Sequence, residues 1–560
     1  MAIYWHRILT TTAIWALAAQ AAWAQPELDP GRFEQRFDAQ ERPDVGGAPV
    51  IVDTPTSALS EERTGVSFTL SGIEVEGNTV FTQEDLAPLY QPRIGEKVTL
   101  GDVHAIANAI SAHYRNAGYV LSRAVVPPQR VKGGTVRIQV VEGYIDQVSF
   151  EGGDTLDDKL LAGYASNITA EKPVTNETLE RYLLLIDDLT GVKARGVLSP
   201  SASNVGASQL TVSLDYTPVD GEVSVNNRGS RFLGPIQIGA MAGTNSLLGL
   251  SERIQLRSIV SGDLDELRYY EASYQQPVGA LGTTLRGLVS YTDTNPGASL
   301  EPLDIEGKSI NMTLGARHPF VRSRRENLFG NVGFRYRNSE SVLGLFSAEL
   351  YDDHVRSLYT GVNYDTIDSW DGINRIDGEI TQGLDILDGN DAGDFLSRAN
   401  GDNTFTKIEM QYSRLQPLSA NISAYLGLSG QYGFDPLLAS EEFGIGSEPF
   451  GSAYDPAEIT GDSGFAGRLE LRYSDALPDS WIDIWQVYGF YDGGKVYNRS
   501  AIAGEKSDES LTSAGVGARL SLTNNVSATV ELAAPLTHKV VAEGSDGDDM
   551  RGFFSLTYGF

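Results

Sequence analysis

The feature that most limits what this chain can become is its run from about residue 221 to Phe560, where segments alternate polar and apolar side chains. Sixteen such segments can be marked, at about 221–229, 235–245, 250–262, 265–276, 279–293, 305–320, 324–338 and 353–365, then at 370–385, 403–415, 419–432, 462–475, 482–494, 510–522, 524–535 and 551–560. A period of two puts successive side chains on opposite faces of a strand. The links say as much as the strands. Those after even-numbered segments are short, as at Gln276-Pro277, Gln416-Pro417 and Asn524. Those after odd-numbered segments, from the fifth onward, are long and acidic, as in 386–402, 436–461 and 536–550. Short turns on one rim and long loops on the other describe a bacterial outer-membrane barrel, whose closure satisfies every backbone polar group within lipid. In the last segment Phe554, Leu556, Tyr558 and Phe560 are expected to face lipid, and Ser555, Thr557 and Gly559 the lumen. Tyr558 and Phe560 would then form an aromatic barrel-assembly signal. A soluble sandwich or lectin-like repeat needs neither the rim asymmetry nor an aromatic end.

Composition agrees. Hydrophobic residues make up 41%, the mean hydropathy is −0.20, and beyond the N-terminus no apolar run reaches the ~18 residues a spanning helix needs. Gly is abundant at 60 and Cys is absent, which removes disulfides and thiolate chemistry. A net charge of −31 argues against a nucleic-acid partner.

Residues 1–24 have the form of a signal peptide. His6 and Arg7 open it, an apolar stretch follows from Ile8 to about Ala19, and Ala22-Trp23-Ala24 offers a small-x-small cleavage site. Residues 25–66 should be a short helix, with Asp29-Pro30 as its N-cap and first turn, and a Pro/Gly/Ser/Thr-rich linker over 42–66.

Two α+β units of order βααββ are expected next, at 67–144 and 145–217. The first has a strand at 68–75, a turn at Gly77-Asn78, and a short helix near Thr82 with Asp85 as capping partner. A helix from about Asp102 to Asn116, with Ile106, Ala109, Ile110 and Ala117 on one face, ends at Gly118, and strands at 119–126 and 135–141 close the unit. The second unit should have strands at 147–151, 192–198 and 209–216 and helices near 156–164 and 176–189.

Signal peptide, paired βααββ units and a sixteen-stranded barrel from 218 to 560 together resemble the transporters of two-partner secretion, the hemolysin-activator (TpsB) family within the superfamily of BamA and TamA. The βααββ units resemble POTRA domains, whose opening is similar to Gly72-Ile73-Glu74-Val75-Glu76-Gly77-Asn78-Thr79-Val80-Phe81. Two barrel motifs sharpen the resemblance. Phe450-Gly451-Ser452-Ala453-Tyr454, followed by Gly461, Asp462 and Gly464, is similar to the family's sixth extracellular loop, which implies that 436–461 folds into the lumen as a hairpin. Phe490-Tyr491-Asp492-Gly493-Gly494 is similar to its Phe-x-Asp-x-Gly wall motif. The family's hairpin tip usually carries an Arg paired with that Asp, and here Ser452 stands in its place. Strand parity offers a substitute: Leu469, Leu471 and Tyr473 face lipid, so Arg468, Glu470 and Arg472 face the lumen, and Arg468 is expected to neutralise Asp492.

Other motifs carry less. Gly461-Asp462-Ser463-Gly464 matches a serine-protease string, but the six His are scattered and no His base accompanies Ser463 in sequence. His104 and His113 are expected on the exposed side of a helix. Asp385, Asp388, Asn390, Asp391 and Asp394 crowd one loop without EF-hand spacing, which favours a solvated acidic loop over calcium. No cofactor or metal site and no enzymatic activity are expected. The resemblance implies a monomeric outer-membrane transporter that takes a secreted, hemolysin- or adhesin-like partner exoprotein from its POTRA units through its barrel without ATP, plugged at rest by residues 29–41. The barrel itself implies contact with the lipid bilayer and with the barrel-assembly machinery during biogenesis. An insertase of the BamA or TamA kind and a passive porin or receptor are the alternatives.

Overall fold

The computed structural model describes residues 28–36, 45, 67–201, 203–204, 206–390, 395–477, 480–501, 506–522 and 525–560. The expected signal peptide, nearly all of the linker, residues 37–41, and Asp391 and Asp394 lie outside them.

The first α+β unit contains β1 (Ser67–Thr69), β2 (Gly72–Glu76), β3 (Lys97–Thr99), β4 (Arg123–Val125) and β5 (Thr135–Val141). The strand expected at 68–75 is broken: β1 leaves to pair with β3, while β2 lies parallel to β5, which also pairs with β4. Both helices begin in capping boxes, Thr82 with Asp85 and Thr99 with Asp102. Hydrogen bonds from the Thr82 hydroxyl and N–H hold the Asp85 carboxyl below its ordinary range. The buried face of helix Leu100–Asn116 is Val103, Ile106, Ala107, Ile110 and Tyr114. Ala109 is only half-buried and Ala117 is exposed, because the core stripe is led by larger side chains that reach Ile73, Val75, Val136 and Ile138. Each such chain contributes about 1.5–3 kcal/mol on burial. His104 is exposed, but His113 sits with its ring 4.6 Å from that of Phe81.

Gly77 turns the chain out of β2 at φ 80°, and a Cβ there would collide with the Val140 carbonyl. The turn is then held by Glu142, which accepts from the N–H groups of Thr79 at 2.7 Å and Val80 at 2.9 Å, the Thr79 hydroxyl, and the Tyr114 hydroxyl at 2.8 Å.

The second unit has β6 (Tyr144–Glu151), β7 (Val192–Pro200) and β8 (Ala207–Tyr216) in the order β6-β8-β7, with helices Asp158–Ala170 and Asn176–Asp187 packed on them. It is bolted to the barrel rim. Arg322 holds Asp188 in a two-pronged contact at 2.8 and 2.6 Å, and Arg181 donates to the Pro319 and Leu281 carbonyls.

Sixteen strands form a closed antiparallel barrel. The first eight are β9 (Val219–Asn226), β10 (Gln237–Asn245), β11 (Arg253–Ser261), β12 (Leu267–Val278), β13 (Thr283–Thr294), β14 (Ile305–Arg322), β15 (Glu326–Leu343) and β16 (Ala348–Ile367). There follow β17 (Ile373–Gly383), β18 (Thr406–Pro417) and β19 (Ile422–Gly433). The short strands β20 (Phe443–Ile445) and β21 (Ile459–Gly461) pair only with each other. The wall resumes with β22 (Ser463–Ala476), β23 (Ile482–Tyr497), β24 (Asp508–Leu522), β25 (Val526–Pro535) and β26 (Arg551–Gly559), which closes on β9. Gly221 and Phe560 exchange backbone hydrogen bonds of 3.0 and 2.9 Å, which ties the end of the chain to its first barrel strand.

Leu469, Leu471, Tyr473, Phe554, Leu556, Tyr558 and Phe560 are exposed on the outer face, as a lipid belt requires. The seventh link departs from expectation. Residues 344–347 are all that separate β15 from β16. The stretch expected to be a long loop instead continues the ladder past a bulge at Ser341/Val342, because its own residues keep alternating buried and open positions. No described helix is long and apolar enough to cross a membrane.

Candidate functional site in the barrel lumen

The chain between β19 and β22 does not stay outside. It passes Ala439–Glu441, forms the β20–β21 pair, and carries Phe450–Tyr454 between those strands deep against β22–β24, where Ile445, Phe450, Ala453, Tyr454 and Ile459 join a buried apolar cluster with Phe490, Val496 and Leu511. The apolar cluster seats the hairpin, and polar contacts fix its tip.

Ser452 is fully buried and every polar atom it has is used. Its N–H faces both oxygens of Asp492 at 3.3 and 3.2 Å, and its hydroxyl donates to Asp492 Oδ2 at 2.6 Å. The Ser513 hydroxyl donates to the other oxygen of Asp492. Arg468 Nη1 lies 2.9 Å from Asp492 Oδ2 and also donates to the Ser452 hydroxyl. The Asp492 carboxylate therefore has a guanidinium on the adjacent strand, reached directly across the register pair Arg468–Asp492. Arg468 also pairs with Glu470 at 2.6 Å and Glu531 at 3.4 Å, and its guanidinium stacks 4.0 Å over the Phe490 ring. Glu470 in turn binds Arg472 and Arg519. Arg468, Glu470 and Arg472 thus point into the lumen as strand parity required, and they form one network.

Gly451 takes φ 90°, a turn that presents the Ser452 N–H to the carboxylate. Tyr454 donates its hydroxyl to the Thr512 carbonyl at 2.9 Å. The base of the hairpin is fixed separately. Buried Asp462 receives Arg398 at 2.5 Å and the N–H groups of Leu437 and Arg499 at 2.6 Å each. Side chains at Gly461, Gly493 and Gly494 would meet the backbone of Tyr497, Leu511 and Phe465, and one at Gly464 would meet the Phe443 ring.

A second segment occupies the lumen. Pro30–Arg36 forms a 3-10 turn, and Asp29 caps it by accepting the Gly31 N–H at 2.7 Å. The same carboxylate accepts from Ser339 at 3.1 Å and Tyr351 at 3.2 Å on the wall. Phe33 is buried against Tyr269, 5.5 Å between rings, with Ile259 and Leu267. Arg32 reaches the stem of the hairpin, donating to the Ala439 carbonyl and to the Glu442 carbonyl at 3.0 Å. Turn, hairpin and wall enclose a polar cavity of about 870 Å³.

Several participants were not anticipated from sequence. Glu531 sits between outward Val530 and Leu532, so the parity that located Arg468 could also have located it. Ser513 lacks a distinguishing signal. Arg228 falls within the alternating segment read at 221–229, but β9 ends at Asn226 and Arg228 lies beyond it.

The sequence profile of the haemolysin secretion/activation proteins ShlB/FhaC/HecB matches residues 206–520, and that of the ShlB-type POTRA domain matches 68–143. The chain belongs to the haemolysin secretion/activation family. Members of this family are outer-membrane transporters of two-partner secretion, with POTRA units in the periplasm. Among curated relatives, the heme/hemopexin transporter protein HuxB of Haemophilus influenzae (strain ATCC 51907 / DSM 11121 / KW20 / Rd) is 23% identical over 499 residues, 86% of each chain. The outer membrane transporter CdiB of Escherichia coli O6:K15:H31 (strain 536 / UPEC) is 25% identical over 456 residues, 79% of this chain and 74% of that one. Two solved structures share the architecture. CdiB from Escherichia coli superposes with a TM-score of 0.72 at 23% identity, over 94% of this chain and 96% of that one. BamA from Haemophilus ducreyi lacking POTRA domains 1–3 gives 0.50 at 13% identity, over 88% and 100%. At these identities the two structures speak to fold alone.

Proposed function

We propose that this family member captures a partner exoprotein in an unfolded state on its POTRA units and passes it through the barrel lumen to the cell surface without ATP. The observation that carries the reading is how the lumen is obstructed. Beside the apolar seats of Phe33 and of the hairpin, both segments are fixed by polar contacts: Asp29 of the turn to Ser339 and Tyr351 on the wall, Arg32 of the turn to the hairpin stem, and Ser452 of the hairpin to Asp492 on the wall. Such anchors can be exchanged for a client's polar backbone at little net cost. The open edges of the POTRA sheets can extend by strand addition, and folding outside makes passage directional because it removes the threaded state from equilibrium. The client is a hemolysin- or adhesin-like exoprotein, and the name of one relative, a heme/hemopexin transporter, adds a protein that handles heme or hemopexin to the candidates. Residues 29–41 act as the resting plug, residues 1–24 direct export, Tyr558 and Phe560 address the chain to the barrel-assembly machinery, and the monomer is the working unit.

Deletion of 67–217 with the barrel intact tests this. The transporter should lose its client, measured as exoprotein released by whole cells, whereas a passive porin should go on conducting small solutes unchanged. One observation favours an insertase instead: the closing joint between β26 and β9 is short. An insertase lacking those residues would show defects in unrelated outer-membrane proteins, and the proposed transporter would not.

A further inference from the structure

The sixteen joints of the barrel are unequal. β26 and β9 share five register pairs, from Ser555–Asn226 to Gly559–Glu222, where the next shortest joints have eight. Above Asn226 one backbone bond remains, from the Asn227 N–H to the Phe554 carbonyl at 3.3 Å, and the Asn227 side chain supplies the rest. Asn227 donates to the Gly552 carbonyl at 2.9 Å and accepts the Phe554 N–H at 2.7 Å. The next residue, Arg228, turns inward. Its Nη2 lies 2.8 Å from buried Glu531 on β25 and 3.2 Å from Glu448 of the hairpin, and its Nη1 donates to the Ser452 carbonyl at 3.1 Å. Its guanidinium stacks 4.2 Å over Phe553 of β26.

One side chain therefore touches the end of the first strand's segment, the last strand, the strand before it and the hairpin tip. We infer that Arg228 is a positioning residue that couples the hairpin tip to the closing joint of the barrel, so that seating of the tip tightens the joint and withdrawal of the tip loosens it. The physical reason lies in how the acceptors are shared. Glu531 has donors besides Arg228, since Arg468 and Tyr488 reach its other oxygen. When the tip withdraws, Arg228 loses the Ser452 carbonyl and Glu448 together and keeps the Phe553 ring and a carboxylate that others also hold. The inner strap over the weakest joint is then slack. Coupling of this kind is reciprocal, so an open joint also costs the tip a charged donor. The inference concerns the barrel alone and holds whether or not a client threads the lumen.

The test uses the full-length chain in outer-membrane vesicles. Because the sequence has no Cys, Ser224→Cys and Thr557→Cys, register partners across the joint, give a single engineered disulfide whose yield under a fixed oxidant pulse reports closure. Four forms are compared: this parent, Arg228→Ala, a form with 448–454 replaced by a short glycine link, and both changes together. Heat-modifiable gel mobility checks assembly of each. Arg228→Ala should lower the yield about threefold or more, within the range of couplings between touching groups. The shortened hairpin should lower it comparably, and the combined form should fall no further than the shortened hairpin alone. An unchanged yield in Arg228→Ala, or losses that multiply in the combined form, overturns the coupling. Arg228→Lys is read in parallel. It keeps a charge beside Glu531 but lacks the fork that also reaches Ser452, so its yield should fall too and be insensitive to hairpin shortening. A parental yield from the lysine form overturns the proposal equally.

Discussion

Asp492 receives four donors from three elements, and the only guanidinium among them comes from the barrel wall. In a fully buried setting the tip needs a donor small enough to leave room for Arg468, and Ser452 is that donor. Ser452→Arg alone should therefore crowd two guanidiniums onto one carboxylate and overpack the tip, costing about 1–3 kcal/mol. It should be seen as a lower unfolding temperature and a leakier pore in planar bilayers. Adding Arg468→Ser should recover most of both. At the other end of the chain, Glu142 is partly buried, which raises its carboxyl, but hydrogen bonds from Thr79, Val80 and Tyr114 outweigh this and hold it below its ordinary 4.5. A depressed carboxyl stabilises above the unfolded value and loses that contribution as pH falls through the folded one. Protection of the Thr79 and Val80 amides relative to their intrinsic exchange rate should fall on acidification below about pH 4.5, and Glu142→Gln should abolish that dependence while lowering protection at neutral pH roughly threefold to tenfold. Residue identities were legible here where a period fixed them. Arg468 and Glu470 followed from Leu469 and Leu471. The role of Ser452 did not, because it depends on what faces it across the lumen, and that of Arg228 did not, because the strand stops at Asn226, short of the segment read at 221–229, and its partners lie on β25 and the hairpin.

Among the elements, strands were the most readable, since lipid on one side and a polar lumen on the other impose strict alternation. The POTRA strands were less so: β1 and β2 read as one strand because nothing local marks where the first leaves for β3. The link between β15 and β16 reads as a long loop, whereas the ladder continues through it to residues 343 and 348 past a bulge. The turn Pro30–Arg36 is held by Arg32 more than by its own seven residues, too short to be stable alone. Arg32→Ala removes charged hydrogen bonds worth about 1.5–3 kcal/mol, so residence of the turn in the lumen should fall roughly tenfold to a hundredfold, measured as resting conductance. Asp188→Asn should weaken the bolt between the second POTRA unit and the rim. Because this pair is half in water, it should cost about 1 kcal/mol or less. Spin-label distance distributions between helix Asn176–Asp187 and the barrel should broaden, with little change in barrel melting.

For the whole molecule, the barrel is a closed cylinder whose interior is occupied by two of its own segments, with the second α+β unit joined to one rim. The sequence carried the cylinder and the unit through periodicity, and the segments in the lumen only through resemblance, since no period links Ser452 to Asp492, 40 positions on, or Asp29 to Ser339, 310 positions on. The account's central claim is that a client must take the place of the turn. A Cβ built on Gly31 would sit 2.9 Å from Ser339 Oγ on the wall, a separation a disulfide can bridge. Gly31→Cys with Ser339→Cys should therefore tether the turn under oxidising conditions. Release of the partner exoprotein by cells carrying this pair should stop when the tether forms and resume on reduction, with either single change secreting normally. Secretion that continues at the same rate with the turn fully tethered would contradict the account.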